Sequence, residues 1–355
     1  MPEIKKRIER YRRQALADGI PAAVIQIPDN RGYLSGFEGS AGTVLITQED
    51  AFLLVDFRYV EQAREQAPAL EVIQHHPEIT ITLKKLLKEL RISCLGWEKS
   101  FVTLEQEDKW RSSLDGVTLV PMPDLVAELR MVKDDREIDC IRKAAAIADQ
   151  AFEQIRPMIR AGQKEKDAAI EMEYLMRRLG ADGVSFETII ASGPRSAMPH
   201  ARASDREMEN GDLVIIDFGA VYQKYCSDCT RTLAIGVMDS KQKEIYQIVQ
   251  EAQEESMKAI QPGVRASLVD EVARSIITKR GYGQYFGHSL GHGVGRSIHE
   301  EPTLSLRDET LLEPGMVVTV EPGIYIPNWG GVRLEELVLV TGSGGEVLTR
   351  SSRFF

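Results

Sequence analysis

Cysteine is scarce in this 355-residue sequence: four residues, too few for a disulfide framework in a chain of this size, so a reducing cytoplasm is the expected compartment. Long apolar runs are missing too. No stretch approaches the ~18 apolar residues that a bilayer-spanning helix needs, and the opening MPEIKKRIERYRRQ is densely charged where a signal peptide would be apolar. Positive charge is in deficit. A formal net charge of −10 argues against nucleic acid or an anionic membrane as a default partner. There is no low-complexity tract and no short repeat. What remains is an ordinary globular composition, 43% apolar and 28% charged, in a chain long enough for two domains.

The chain changes texture once. Ile4, Ile8, Tyr11 and Ala15 recur at helical spacing, and AAVIQI, TVLIT and AFLLVDF then read as strands alternating with helices such as EQAREQA and TLKKLLKEL. This α/β alternation predicts a first domain over 1–122, closed by the prolines of PMPDL, and a second over 123–355. The second opens with a long helical stretch interrupted near KDD, where Asp134 or Asp135 caps a new helix, followed by a helix that ends at Gly180. Strands are expected at FETIIAS, LVIIDFGAVY, CSDCTRTLAIG, MVVTVEPGIYI and GVRLEELVLVT, with two helices between the third and the fourth.

Two of these strand pairs carry carboxylates where alternation predicts burial: Asp217 and Asp228 in the first, Glu321 and Glu335 or Glu336 in the second. A duplicated pair of halves, each presenting two acids from a hairpin, accounts for the echo. One buried carboxylate is ordinarily neutralised by an arginine, and Arg231 and Arg333 are near in sequence. Two arginines do not balance four acids. Four carboxylates with one imidazole suit two hard divalent ions sharing a bridging hydroxide, and oxygen-rich ligation favours manganese, cobalt or iron(II) over a sulfur-bound structural zinc. Cys226 and Cys229 form a C-x-x-C with no second pair for zinc, so they read as small residues flanking Asp228.

Three of the six histidines, His288, His292 and His299, lie in FGHSLGHGVGRSIHEEP among Gly287, Gly291, Gly293 and Gly295. The glycines make a helix there improbable, so each ring is aimed separately from an irregular or extended backbone. HEEPT lacks the second histidine of a helical zinc motif, and GHGVGR lacks the last glycine and the context of a dinucleotide fingerprint. His75 and His76, before Pro77, are assigned no role.

IDFGAVYQKYCSDCTRT, HSLGHGVGRSIHE, VTVEPGIY and GVRLEELVLVT, in that order, resemble the two-metal pita-bread peptidases, and among them the Xaa-Pro dipeptidases (prolidases) and Xaa-Pro aminopeptidases. NRGYLSGFEGSAGTVLI resembles their creatinase-like N-terminal domain. The resemblance implies an α/β (α+β) fold: a creatinase-like domain, then a pita-bread domain of pseudo-twofold halves around a curved, mainly antiparallel sheet. It also implies a metal set of Asp217, Asp228, His292, Glu321 and Glu335, with Asp228 and Glu335 bridging. His200, His288 and His299 are then the substrate-facing histidines, Glu321 a proton relay and Arg333 a brace. The implied cofactor is a pair of divalent ions, manganese first, with cobalt, iron(II) or zinc as alternatives. The implied substrates are small peptides with proline second. The compact chain favours dipeptides; release of the first residue from longer peptides is the alternative, and a metal-free binding module a third. A homodimer is the assembly the relatives suggest. Arg296 is open between a substrate-carboxylate ligand and a surface charge.

Overall fold

A computed structural model describes residues 2–352, which divide into two compact units, one up to Arg130 and one from Met131 onward. In the first, the alternating strands form a six-stranded sheet: β1 (Ala22–Ile25), β2 (Thr43–Thr47), β3 (Ala51–Val55), β4 (Glu71–Gln74), β5 (Cys94–Glu98) and β6 (Thr118–Met122). Their order is β4-β3-β2-β1-β5-β6. Only β2 runs antiparallel to its neighbours: a tight reversal joins it to β3, while every other connection, including the one from β1 to β2, carries a helix. Successive residues alternate between two cores, Ala23, Ile25, Val44 and Ile46 on one face and Ala22, Val24, Leu45 and Leu54 on the other. A sheet covered on both faces reads as continuously apolar strands.

The second unit opens with α1 (Asp135–Ile155), and the competition between two candidate caps resolves on chemistry. Asp134 accepts from the Glu137 amide at 3.0 Å while the Glu137 carboxylate accepts from the Asp134 amide at 3.0 Å, a reciprocal pair that Asp135 cannot make. α1 packs on α2 (Glu165–Arg178) beside an antiparallel sheet of β7 (Ile189–Ser192), β8 (Leu213–Phe218) and β9 (Cys229–Ala234), with β8 central. The arrangement repeats. Helices α3 (Ser240–Ala259) and α4 (Ala266–Lys279) pair with each other and share a core with a second antiparallel sheet, which holds β10 (Gly291–Gly293), β11 (Glu300–Leu304), β12 (Val317–Val320) and β13 (Glu336–Thr341). The expected mixed α/β architecture with mainly antiparallel sheets in the second domain is present.

All five strands expected to be continuous are broken or shortened: LVIIDFGAVY holds β8 and then a separate strand at Ala220–Tyr222. CSDC holds a short strand ending at Cys226 and then β9 from Cys229, with Ser227 and Asp228 between them. MVVTVEPGIYI splits into β12 and a strand at Gly323–Ile326, leaving Glu321 and Pro322 between; GVRLEELVLVT splits into a strand at Gly330–Arg333 and β13, leaving Leu334 and Glu335. FETIIAS is a strand only from Ile189. Apolar alternation registers burial, and burial continues across these breaks, so sequence pattern alone does not reveal them.

Candidate metal centre and its pocket

The breaks position the acids. Asp217, on β8, faces Thr230 of β9 across the ladder. Asp228 sits at the break just before β9. Glu321 and Glu335 follow the ends of their strands, where the chain has left one ladder and not yet joined the next. Each is nonetheless fixed through its own amide: Glu335 N–H donates to the Thr230 carbonyl at 3.0 Å and Glu321 N–H to that of Leu290 at 2.8 Å. His292 enters from β10, its amide donating to Thr319 Oγ1 at 3.0 Å. The flanking glycines serve strand packing. A Cβ on Gly291 would run into the Thr319 carbonyl, and one on Gly293 into that of Glu301.

Ligand atoms of Asp228, His292 and Glu335 lie within 4.8 Å of one another. His292 Nε2 is 3.4 Å from Glu321 Oε1 and 3.6 Å from Asp228 Oδ2. Its Nδ1 lies 3.0 Å from the Gly293 carbonyl, an oxygen that only accepts, which assigns the ring proton to Nδ1 and leaves Nε2 a lone pair facing the acids. Burial holds the ring neutral, its pKa lowered to about 4. Thr230 Oγ1 donates to Glu335 Oε2 at 2.6 Å, and Thr319 Oγ1 lies 3.2 Å from Glu321 Oε1.

Arg333 is the cation of the site. It donates to Asp217 Oδ2 at 2.6 Å, to the Tyr325 hydroxyl at 3.0 Å and to the Pro199 carbonyl at 3.1 Å. Arginine neutralisation therefore does operate here, but on one acid of four. The other arginine, Arg231, pairs with Glu336 at 2.9 Å in a buried bond outside the cluster. That separates the neighbouring glutamates, with Glu335 in the cluster and Glu336 out of it.

The remaining acids are left in excess. Asp217 Oδ1 is buried and accepts no hydrogen bond. Burial, then the carboxylates of Glu335, Asp217 and Glu321, pushes Asp228 far above the usual carboxylate range; burial, then Glu321 and Asp217, does the same to Glu335. Glu321 is pushed up to about 7, chiefly by burial and against the pull of Arg333. Oxygen acceptors converging with an imidazole lone pair, under one guanidinium, form a donor set that fits divalent cations.

A cavity of about 530 Å³ opens over this cluster, and every site residue expected from sequence lines it: His200, Asp217, Asp228, His288, His292, His299, Glu321, Arg333 and Glu335. The His299 ring packs edge-on against His292 with centroids 4.4 Å apart. His288 has Nδ1 2.7 Å from the Ser289 carbonyl and Nε2 3.0 Å from the Tyr325 hydroxyl, and burial lowers its pKa to about 4. Phe186, Ile189 and Ile298 give the cavity apolar wall. Sequence reasoning gave no role to Thr230 or Tyr325, although Thr230 stands opposite Asp217 and Tyr325 sits in EPGIY. Arg296, left open between two roles, is not among the lining residues; its guanidinium lies over the Tyr225 ring, 5.7 Å from the centroid.

Residues 139–342 match metallopeptidase family M24, and residues 7–132 match the creatinase/prolidase N-terminal domain. A Xaa-Pro dipeptidase of Pyrococcus horikoshii is 44% identical over 95% of this chain and 94% of its own. The solved Xaa-Pro dipeptidase of Bacillus anthracis superposes with a TM-score of 0.97 at 46% identity over 99% of each chain. The X-Pro aminopeptidase of Thermotoga maritima does so with a TM-score of 0.90 at 41% identity over 98% of each. Matched in both units and over nearly its whole length, the chain belongs to metallopeptidase family M24.

Proposed function

We propose that the chain is a metal-dependent Xaa-Pro dipeptidase, hydrolysing the bond before proline in small peptides. The observation that carries this reading is the surplus of buried acceptors in an open cavity: Asp228, Glu335 and the His292 lone pair together, beside an Asp217 oxygen with no donor. Asp217, Asp228, His292, Glu321 and Glu335 would hold two divalent ions, for which manganese suits the oxygen-rich set. When bound, the ions supply a hydrolytic nucleophile at neutral pH and polarise the scissile carbonyl. The protein supplies the rest. Glu321 takes a proton from water and returns it to the proline nitrogen, which leaves as a secondary amine and must be protonated. His200 and His299, which line the cavity, serve as donors to the developing oxyanion. His288 acts through Tyr325, holding the hydroxyl that Arg333 also binds, and Arg333 in turn fixes Asp217.

A cytoplasmic homodimer is the setting proposed for this activity. Release of the first residue from longer peptides is the competing reading, supported by the likeness to the Thermotoga maritima aminopeptidase. Hydrolysis of Leu-Pro and of Leu-Pro-Gly by manganese-loaded protein tests both. Faster cleavage of the dipeptide is expected; equal or better cleavage of the tripeptide selects the aminopeptidase, and no cleavage of either removes the peptidase.

A further inference from the structure

A dipeptide brings a free carboxylate within a few bonds of the scissile carbonyl, into a cavity whose four acids would be balanced by the two divalent ions of the proposed function, leaving the added carboxylate to find a partner of its own. An anion enters such a site only against a cation or several donors. Among the described residues lining the cavity, Arg333 and Arg202 are the arginines, and no lysine lines it. Arg333 is committed, its guanidinium shared among Asp217, Tyr325, Thr230 and the Pro199 carbonyl.

Arg202 differs in three respects. It follows His200 by two residues in a loop whose His200, Ala201 and Arg202 all line the cavity, with His200 and Arg202 exposed and Ala201 buried. The loop is braced. The Arg202 carbonyl accepts from Arg195 Nη2 at 2.6 Å, and Ser204 donates through its amide at 3.0 Å and its hydroxyl at 2.7 Å to the buried carboxylate of Glu165, which also pairs with Arg195. Finally, the guanidinium already holds a carboxylate: Glu187, another lining residue, at 3.5 Å with side chains 83% and 68% exposed. A pair so exposed contributes little and exchanges readily.

We propose that Arg202 is the recognition group for the free C-terminal carboxylate of the dipeptide, which displaces Glu187 from the guanidinium when substrate enters the cavity. Glu187 thus occupies the carboxylate subsite in the free protein. This inference rests on the dipeptidase reading and adds to it a reason for preferring dipeptides over longer chains, which carry no carboxylate at that position.

The test uses the metal-loaded protein with Leu-Pro and with its C-terminal amide, which keeps the scissile bond and removes the charge. Arg202→Gln is expected to raise KM for Leu-Pro about 10- to 100-fold with kcat little changed, and to leave KM for the amide unaltered. Arg202→Lys, which keeps the charge but not the two-pronged geometry, restores part of the loss. Parallel changes in KM for the two substrates, or no change in either, overturn the subsite. Wild-type protein that cleaves neither substrate overturns the peptidase reading and the subsite with it, so the two failures are told apart.

Discussion

Glu321 offers the sharpest quantitative test, because its carboxyl is shifted from an ordinary 4.5 to about 7 and the shift is a statement about stability. A carboxyl whose folded-state pKa is raised binds its proton more tightly in the native than in the unfolded chain. Its ionisation therefore costs the native state nothing below the unfolded pKa, and a growing penalty as pH rises from 4.5 to 7, constant above that. The two values give a penalty of about 1 kcal/mol at pH 5 and about 3 kcal/mol at pH 8. In chelator-treated protein, Glu321→Gln removes it. His288 and His292, lowered to about 4, oppose this trend in the wild type because burying them neutral loses stability as pH falls below 6.5. Removing the Glu321 charge also relieves Asp228 and Glu335, which it helps to push up, so the difference between variant and wild type keeps its sign. The variant should thus gain stability relative to wild type by about 2 kcal/mol between pH 5 and 8, roughly 4–8 °C in the Tm of a unit this size. Scanning calorimetry at the two pH values measures it. A flat difference, or a variant that loses ground as pH rises, refutes the claim that burial of an unneutralised carboxylate dominates this position.

Asp228→Asn should lower kcat/KM about a thousandfold or more while far-ultraviolet circular dichroism stays unchanged, since the replacement is isosteric and its carboxylate belongs to the cluster; an active variant would contradict its place there. Added manganese should raise the Tm of chelator-treated wild type, and less so that of Asp228→Asn; equal shifts would put the ions elsewhere. Glu336→Gln, which strands the buried Arg231 guanidinium, should cost about 3–5 kcal/mol in denaturant unfolding, whereas Arg231→Met with Glu336→Leu together should cost much less. Asp134→Ala should cost about 1 kcal/mol, the loss of one reciprocal helix cap.

Much of the site was legible in the sequence because charge in an apolar run is a physical anomaly. LVII ending in Asp217 and MVVTV ending in Glu321 announce buried acids whatever the topology, and the structure collects them, with His292, at one cavity. The choice between Glu335 and Glu336 was not legible. Both neighbours are buried, and what separates them is the strand break at Leu334 and Glu335, together with Arg231, which comes from more than a hundred residues away to pair with Glu336. Thr230 and Tyr325 escaped for a related reason. Neither is chemically unusual in its own segment; Thr230 gains its place by standing opposite Asp217 across a ladder, and Tyr325, paired with Gly331 in its own ladder, by accepting from the Arg333 guanidinium. Arg202 escaped too, because an arginine in a polar loop is unremarkable until the loop is seen to be braced from behind.

The strand breaks also explain how a site of mutually repelling groups is held together. Each sheet contributes acids at points where its own ladder is interrupted, and the amides freed there bond elsewhere. Glu335, from the second half, donates its amide to Thr230 of the first half and accepts Arg231 Nη1 at 2.6 Å on its carbonyl, while its side chain takes the Thr230 hydroxyl. Thr232 Oγ1 of the first half bonds both the amide and the carbonyl of Arg333 in the second. The two halves are thus stitched by backbone groups of the site residues themselves. A change that loosens one half against the other would displace the carboxylates with it, and a cation drawing the carboxylates together would tighten the same seam. Metal affinity and the docking of the halves are therefore two readings of one set of bonds.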